Sequence, residues 1–321
     1  MLPGDLNAAI AQMLHGVPAK SLARSAQALS SHYRGEERTG RRAVSSESDV
    51  LAYLTYRLPA TYAAVTAAFV ATAERRPDLQ PRNVLDAGAG PGTAMWAATE
   101  VWRSVETFML VENDPRMIAA GKRLAAEASN AAIRGARWLS ADLAGEPELP
   151  RADVVIAAYS IGELSSGRLP AAVARLWAAC ADTLVVVEPG TPRGFAAVRT
   201  VRDMLRAEGA SIVAPCPHQD ACPMAGDRWC HFAVRLGRSR LHRAAKGAAL
   251  AYEDEKYSYV AMSRAPGLPI AARVIGHPRA RHGHIDLDLC TPDGLHAETV
   301  NRSDRDRYRL AQRTRWGSAI D

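Results

Sequence analysis

The sequence predicts an α/β fold: a mostly parallel sheet with helices on both faces, an N-terminal helical cap and a small C-terminal β-rich unit. Three observations carry this. From residue 83 to residue 214, short apolar runs alternate with segments of helical spacing, the pattern of a doubly wound sheet. The first run, Val84 and Leu85, ends at Asp86 and passes at once into Gly88, Gly90 and Gly92, with a helical pattern from Thr93. Later runs end on Glu112, on Asp142 shortly after, and on Glu188-Pro189-Gly190, and the carboxyl ends of strands are where open α/β sheets bind ligands.

Residues 1–80 read as helices. Leu6, Ile10 and Leu14 share one face and Leu22, Ala26 and Leu29 another. Residues 34–42 are charged and contain glycine, which reads as a loop. Residues 45–49 supply N-cap side chains. Two helices are expected over about 48–57 and 60–75, hinged at Pro59, with Arg57 and Tyr62 flanking the hinge as helix-packing residues or as groups that close over a ligand. The expected strands of the sheet are 83–86, 107–112, 136–139, 153–158, 183–188 and 211–214. The helices between them are 93–103, 115–129, 168–180 and 194–208. Residues 81–264 then form the sheet domain, with a cysteine-rich insertion at 214–232, and residues 265–321 form the C-terminal unit.

A glycine-rich turn between a strand and a helix brings a ligand against bare backbone at a helix N-terminus. An acid at the end of the second strand, here Glu112, accepts hydrogen bonds from both hydroxyls of a ribose. Asp142, after the third strand, suits an adenine amino group. Glu163 and Glu188 are candidate general bases, and each serves equally as a structural hydrogen-bonding group; no catalytic residue is singled out.

Composition narrows the function classes. At 48% hydrophobic and 23% charged residues, the chain has the balance of a soluble globular protein. No apolar run approaches the roughly 18 residues of a membrane span, so no membrane partner is expected. Lys20, Arg24 and Arg34 are compatible with a transit-type leader, but helical apolar spacing runs on without a cleavage-type break, and the expected location is cytoplasmic. The net charge is +6, of which residues 1–200 carry +1 and residues 201–321 carry +5. A localised basic excess suits a polyanion or a solvated surface.

Five cysteines, Cys180, Cys216, Cys222, Cys230 and Cys290, occur without a secretory signal, which points to thiols rather than disulfides. Cys216, Cys222 and Cys230 are spaced Cys-x5-Cys-x7-Cys, and Cys290 lies in a later alternating segment. Neither gap matches the usual zinc spacing. Iron–sulfur clusters accept varied spacings and often have proline beside a ligand, as after Cys216 and Cys222. A four-cysteine iron–sulfur cluster, a zinc site with His218 or His231 as a further ligand, and uncoordinated thiols all remain open at this level. Cys180, in a helical segment, reads as packing. Arg235, Arg238, Arg240, His242, Arg243 and Lys246 read as a basic helix, followed by a strand from Tyr252. The C-terminal unit has three strand-like runs, 273–276, 283–290 and 295–300, and a basic tail with Arg302, Arg305, Arg307, Arg309, Arg313 and Arg315 suited to RNA phosphates and bases.

The glycine run departs from the dinucleotide fingerprint because its third glycine comes one residue early. Asp86-x-Gly88-x-Gly90-x-Gly92 resembles motif I of the class I S-adenosylmethionine (SAM) methyltransferases, whose fold is a Rossmann-like seven-stranded sheet, and Glu112 and Asp142 match their two acids. The Asn/Asp-Pro-Pro-aromatic motif of the amino methyltransferases is replaced here by Ala158-Tyr159-Ser160-Ile161-Gly162-Glu163. The Cys-x3-Cys-x2-Cys motif of the radical enzymes is absent. Arg57-Leu58-Pro59-Ala60-Thr61-Tyr62, Val187-Glu188-Pro189-Gly190-Thr191-Pro192, the segments 215–232 and 252–259, and Leu289-Cys290-Thr291-Pro292-Asp293-Gly294 add to this. In this order they resemble the methyltransferase-like proteins associated with the mitochondrial small ribosomal subunit, in their bacterial branch. The resemblance covers roughly residues 20–318. It implies binding to the small ribosomal subunit and its rRNA during assembly or translation, with or without methyl transfer to rRNA. It further implies a SAM pocket at Asp86, Gly88, Gly90, Gly92, Glu112 and Asp142, a 4Fe–4S cluster on Cys216, Cys222, Cys230 and Cys290, and a monomer when off the ribosome.

Overall fold

The computed structural model describes residues 1–33, 44–145, 147–238 and 251–320. The expected loop at 34–42 lies outside them, as do Arg240, His242, Arg243 and Lys246 of the expected basic helix.

The cap consists of α1 (Gly4–Met13), α2 (Ala19–Tyr33), α3 (Glu47–Ala52), a π-helical turn (Tyr53–Arg57) and α4 (Leu58–Arg75). Ser46 starts α3 with a capping box, its hydroxyl accepting from Asp49 N while the Asp49 carboxylate accepts from Ser46 N. The expected hinge at Pro59 is absent: α3, the π turn and α4 run on without a break. Proline has no N–H to give to the preceding turn. The wider π turn, closed by Leu58 N donating to Tyr53 O, accommodates that missing bond inside a continuous helix. Leu54, Leu58, Val65, Ala68 and Phe69 are fully buried, so α4 is fixed against the sheet and Tyr62, also buried, is a packing residue.

The main sheet contains β1 (Asn83–Ala87), β2 (Thr107–Glu112), β3 (Arg137–Ser140), β4 (Ala152–Ala158), β5 (Cys180–Pro189), β6 (Ser211–Ala214), β7 (Phe232–Gly237) and β8 (Tyr252–Ser263). Its order is β3-β2-β1-β4-β5-β8-β6, with β7 also paired to β8. The first five strands are parallel, and β8 runs antiparallel to β5, β6 and β7. An antiparallel strand inserted between the fifth and sixth strands of a 3-2-1-4-5 sheet is the class I methyltransferase topology. The central strands are buried on both faces, which explains their unbroken apolar runs. In β5, Val185 and Val187 face the core shared with the cap, while Leu184 and Val186 face the opposite core. The helices α5 (Thr93–Val101), α6 (Pro115–Ala126), α7 (Ala131–Arg134), α8 (Leu169–Ala179) and α9 (Pro192–Ala207) connect the strands. Cys180 is the first residue of β5, fully buried, rather than the last turn of a helix.

The sheet has eight strands rather than seven, because residues 232–237 form β7 and not the start of a basic helix. The arginine spacing suggested a helix. Cross-strand chemistry decides for a strand: Arg235 sits opposite Asp254 and pairs with it at 2.8 and 3.0 Å, and Phe232 sits opposite Tyr257.

The second sheet contains β9 (Ala272–Val274), β10 (Arg279–Arg281), β11 (His284–Thr291), β12 (Gly294–Asn301) and β13 (Ala319–Ile320), with its own small core. The expected basic tail is largely a helix, α10 (Arg305–Arg313), capped by the Asp304 side chain and packed through Ala311. Among the described residues, no helix is long and apolar enough to cross a membrane.

Candidate functional site

The carboxyl ends of β1, β2 and β4 lie side by side, and the loops that follow them meet to outline the candidate pocket. Gly88, Gly90 and Gly92 all have positive φ, at 75°, 55° and 80°. A Cβ on Gly88 would lie 2.4 Å from the Ser160 Cβ, so the loop needs glycine there to pack under the segment after β4. Gly90 differs: the nearest atom to its would-be Cβ is the Tyr53 hydroxyl at 3.8 Å, so that side of the loop is open toward the pocket. Glu112 ends β2 and accepts from Gly90 N at 2.8 Å and from Asn113 N and Asp114 N at 2.9 and 2.8 Å. A carboxylate has about four acceptor positions, so capacity for a ribose hydroxyl remains. Asp142 is exposed beyond β3 and uses one oxygen to accept from Ala144 N at 2.8 Å.

Asp86 is the electrostatic anomaly of the pocket. It is 1% exposed, and neither carboxylate oxygen has a hydrogen-bond partner among the described residues. Burial, with the Glu112 charge adding to it, pushes its carboxyl up to about 8. A buried carboxylate without partners is costly, and a cationic donor entering the pocket would satisfy it. An adenosylmethionine-type ligand brings an ammonium group, so the donor set fits this cofactor.

The segment after β4 closes the other side. Glu188, buried at the end of β5, accepts from Ser160 N at 3.1 Å and Gly162 N at 3.0 Å. Burial pushes its carboxyl up to about 7, against the pull of those backbone donors and with the Glu163 charge adding. Glu188 therefore shapes this loop, and Glu163 lies at its exposed edge. Tyr159 is the one non-glycine residue with positive φ (56°) among the described residues. Its hydroxyl donates to Glu255 Oε1 at 3.1 Å, and Arg57 donates to the same oxygen at 2.7 Å with its guanidinium 4.7 Å from the Tyr159 ring centre. Cap, β4 loop and β8 are thus joined at the pocket wall. Tyr53, Tyr159 and Glu255 were not legible as site residues. The signal that bears on them is the departure from an Asn/Asp-Pro-Pro-aromatic motif after β4.

A second site lies on the far side of β8. Cys216, Cys222, Cys230 and Cys290 line one recess with His218, Arg202 and Arg273. Cys290 comes from β11 and the other three from the loop between β6 and β7, so the recess joins the two sheets. The C-terminal end of the loop is held twice: Trp229 Nε1 donates to Gly190 O at 3.0 Å, and the Ser258 hydroxyl donates to Cys230 O at 2.7 Å. Burial raises the thiols of Cys222, Cys230 and Cys290, that of Cys290 to about 12. His218 is buried, its Nε2 lies 3.6 Å from Cys290 Sγ, and its Nδ1 has no partner. His231 is not among the lining residues: its ring packs against Trp229 and Trp316. Cys180 lies apart in β5. Among the described residues, no group of three or more donors meets the geometry of a bound metal ion. What the recess does offer is four thiols and orphaned polar atoms around one space, a donor set that suits a group larger than one ion.

The model of the family described as mitochondrial small ribosomal subunit Rsm22 matches residues 47–321. The chain belongs to this family. It is 31% identical over 291 residues to the human "Ribosome assembly protein METTL17, mitochondrial", covering 84% of this chain and 62% of that protein. It is 24% identical over 333 residues to "Rsm22-cox11 tandem protein 2, mitochondrial" of Schizosaccharomyces pombe, covering 85% of this chain and 43% of that one. The chain thus spans between two fifths and two thirds of the lengths of these relatives. Among solved structures, it aligns with a putative RNA methyltransferase from Pyrococcus horikoshii at 13% identity and a TM-score of 0.41, over 62% of this chain and 80% of that chain. It also aligns with the magnesium protoporphyrin IX methyltransferase of Synechocystis PCC 6803 with bound SAH, at 13% identity and a TM-score of 0.43, over 77% of this chain and 100% of that chain. Scores this low leave the fold resting on the strand order.

Proposed function

We propose that this chain is a SAM-binding assembly protein of the small ribosomal subunit whose four recess cysteines hold a 4Fe–4S cluster. Asp86 carries the cofactor reading: a buried, unpartnered carboxylate beside an open glycine suits a ligand with a cationic amino group. Asp86, Gly88, Gly90, Gly92, Glu112 and Asp142 would hold SAM, with Glu112 accepting from the ribose. When bound, SAM supplies an electrophilic methyl group. Family membership supports the ribosomal partner. Exposed Arg302, Arg305, Arg313 and Arg315, which form no ion pair among the described residues, supply the charge for rRNA phosphates. A cytoplasmic location and a monomeric state off the ribosome belong to the same proposal.

Two readings differ on methyl transfer to rRNA. The enzymatic one needs room for an acceptor beside the methyl group. The Arg57–Glu255–Tyr159 junction, standing after β4 where an acceptor-binding motif would lie, favours the other: an assembly factor that keeps the pocket without transfer. Nucleoside mass spectrometry of small-subunit rRNA from cells with and without the protein separates them. Loss of one methylated nucleoside supports transfer to rRNA, and an unchanged profile supports the assembly factor. Metal analysis of anaerobically purified protein tests the recess. About four irons per chain supports the cluster. One zinc and no iron refutes it in favour of a zinc site that includes His218.

A further inference from the structure

The recess contains two buried guanidinium groups as well as four thiols. Arg202, on α9, is 3% exposed; its Nε donates to Cys216 Sγ at 3.5 Å, and its Nη1 donates to Asp203 at 2.7 Å. Arg273, on β9, is 2% exposed and sits directly opposite Cys290 in the sheet. Its Nε donates to Pro215 O at 2.9 Å and its Nη1 to Gly317 O at 2.8 Å, both neutral carbonyls. Its Nη2 is buried with no partner, and no carboxylate pairs with this side chain, among the described residues.

Arginine stays protonated in proteins, so Arg273 is a buried cation with no anion paired to it among the described residues. Such a charge is costly to bury unless it is compensated. Neutral thiols do not compensate it, whereas thiolates bound to a metal group do. Four thiolates on a zinc ion, or on a 4Fe–4S core carrying two positive charges, give a net charge of about −2, one negative charge for Arg273 and a second for Arg202, whose charge Asp203 already shares.

We propose that Arg202 and Arg273 are positioning residues that supply the counter-charge for an anionic, four-thiolate metal group in this recess. The inference rests on the cluster reading and deepens it. Each guanidinium opposes dissociation of the thiolate-bound metal, and each favours the reduced, more negative form of a redox-active cluster. Arg273 also ties the recess to both sheets: it bonds to Pro215 before the cysteine loop and to Gly317 before β13.

The test uses the full chain, reconstituted anaerobically with iron and sulfide, and compares Arg273→Met and Arg202→Met with Arg273→Lys. Circular dichroism first establishes that each variant is folded. The main readout is the rate of iron release to a chelator. The second is the midpoint potential from a reductive titration followed by electron paramagnetic resonance. Either Met variant is expected to release iron at least tenfold faster and, where loaded, to shift to a more negative potential by a tenfold change in the oxidised-to-reduced ratio, which is 59 mV for one electron. Arg273→Lys, which keeps the charge, is expected to fall nearer the wild type on both readouts. A folded Met variant that retains iron as the wild type does overturns the counter-charge role while leaving the cluster reading intact. A wild-type protein that takes up no iron overturns the cluster reading and the inference together. Should Arg273→Met fail to fold, Arg202→Met, whose side chain bonds to no residue of the second sheet, decides by the same criteria.

Discussion

Replacing Asp86 with asparagine should change how the stability of the ligand-free protein depends on pH. Asp86 is pushed up to about 8 in the folded protein, from a model-peptide value of 3.8. Because the folded value is the higher one, the folded state holds the proton more tightly. The stabilising effect is complete below about pH 4 and is lost progressively as pH rises toward 8. Within that window one proton is linked to unfolding, so the limiting slope is about 1.4 kcal/mol per pH unit. Asparagine has no such proton. Any pH-independent cost of leaving its amide unpartnered shifts the curve without tilting it. Urea denaturation of both proteins at pH 5, 6 and 7 should therefore show the stability of Asp86→Asn relative to wild type rising by about 3 kcal/mol across the series. Glu188, also raised by burial, titrates in both proteins and largely cancels from the difference. Parallel stability curves would refute the argument, because they would mean that Asp86 is solvated or paired in solution. The same proton has a binding signature. At pH 7 SAM should displace it, so calorimetry in buffers of different ionisation enthalpy should detect proton release, and Asp86→Asn should abolish it.

Gly90→Ala should fold, with a cost of about 1–2 kcal/mol for a side chain at positive φ, yet should lose SAM affinity at least tenfold, because its Cβ enters the pocket rather than the protein; unchanged calorimetric affinity would place the cofactor elsewhere. Gly194→Ala should behave in the opposite way. Its Cβ would lie 2.0 Å from the Pro189 carbonyl oxygen, a backbone atom that cannot rotate aside, so thermal melts should show a loss of about 3 kcal/mol or more. Removing Arg305 and Arg313 together should reduce the slope of log affinity for small-subunit rRNA against log salt by about 1.5, the contribution of two phosphate contacts; an unchanged slope in filter binding would exclude this helix from the interface.

Some of these features were written into short stretches of chain. Strands 107–112 and 211–214 coincide with their expected limits, since a strand buried on both faces needs an unbroken apolar run. The glycine loop and Glu112 were legible because strand, turn and helix follow one another locally. The four cysteines could be grouped from their spacing, while the geometry around them could not. Local spacing misread 235–237, because arginines three residues apart occur on a helix face and also beside a strand that pairs with an acidic neighbour. At Arg235 that acidic partner is Asp254, which a local window does not contain. Pro59 misled for a related reason: a π turn, invisible to periodicity, accommodates the missing N–H.

By itself the sequence determined the class of fold, the glycine loop after the first strand and which thiols belong together, because each depends on residues near one another or on the type of donor. The tertiary structure alone decided what surrounds them. Arg57 meets Glu255 across 198 positions, Tyr159 meets it across 96, and Arg273 reaches Pro215 across 58. Whether a carboxylate such as Asp86 is buried without a partner, or a guanidinium such as Arg273 without an anion, depends on the packing of strands and loops brought together only by folding. Charge and desolvation act through space, and the chain order does not record which groups that space will contain.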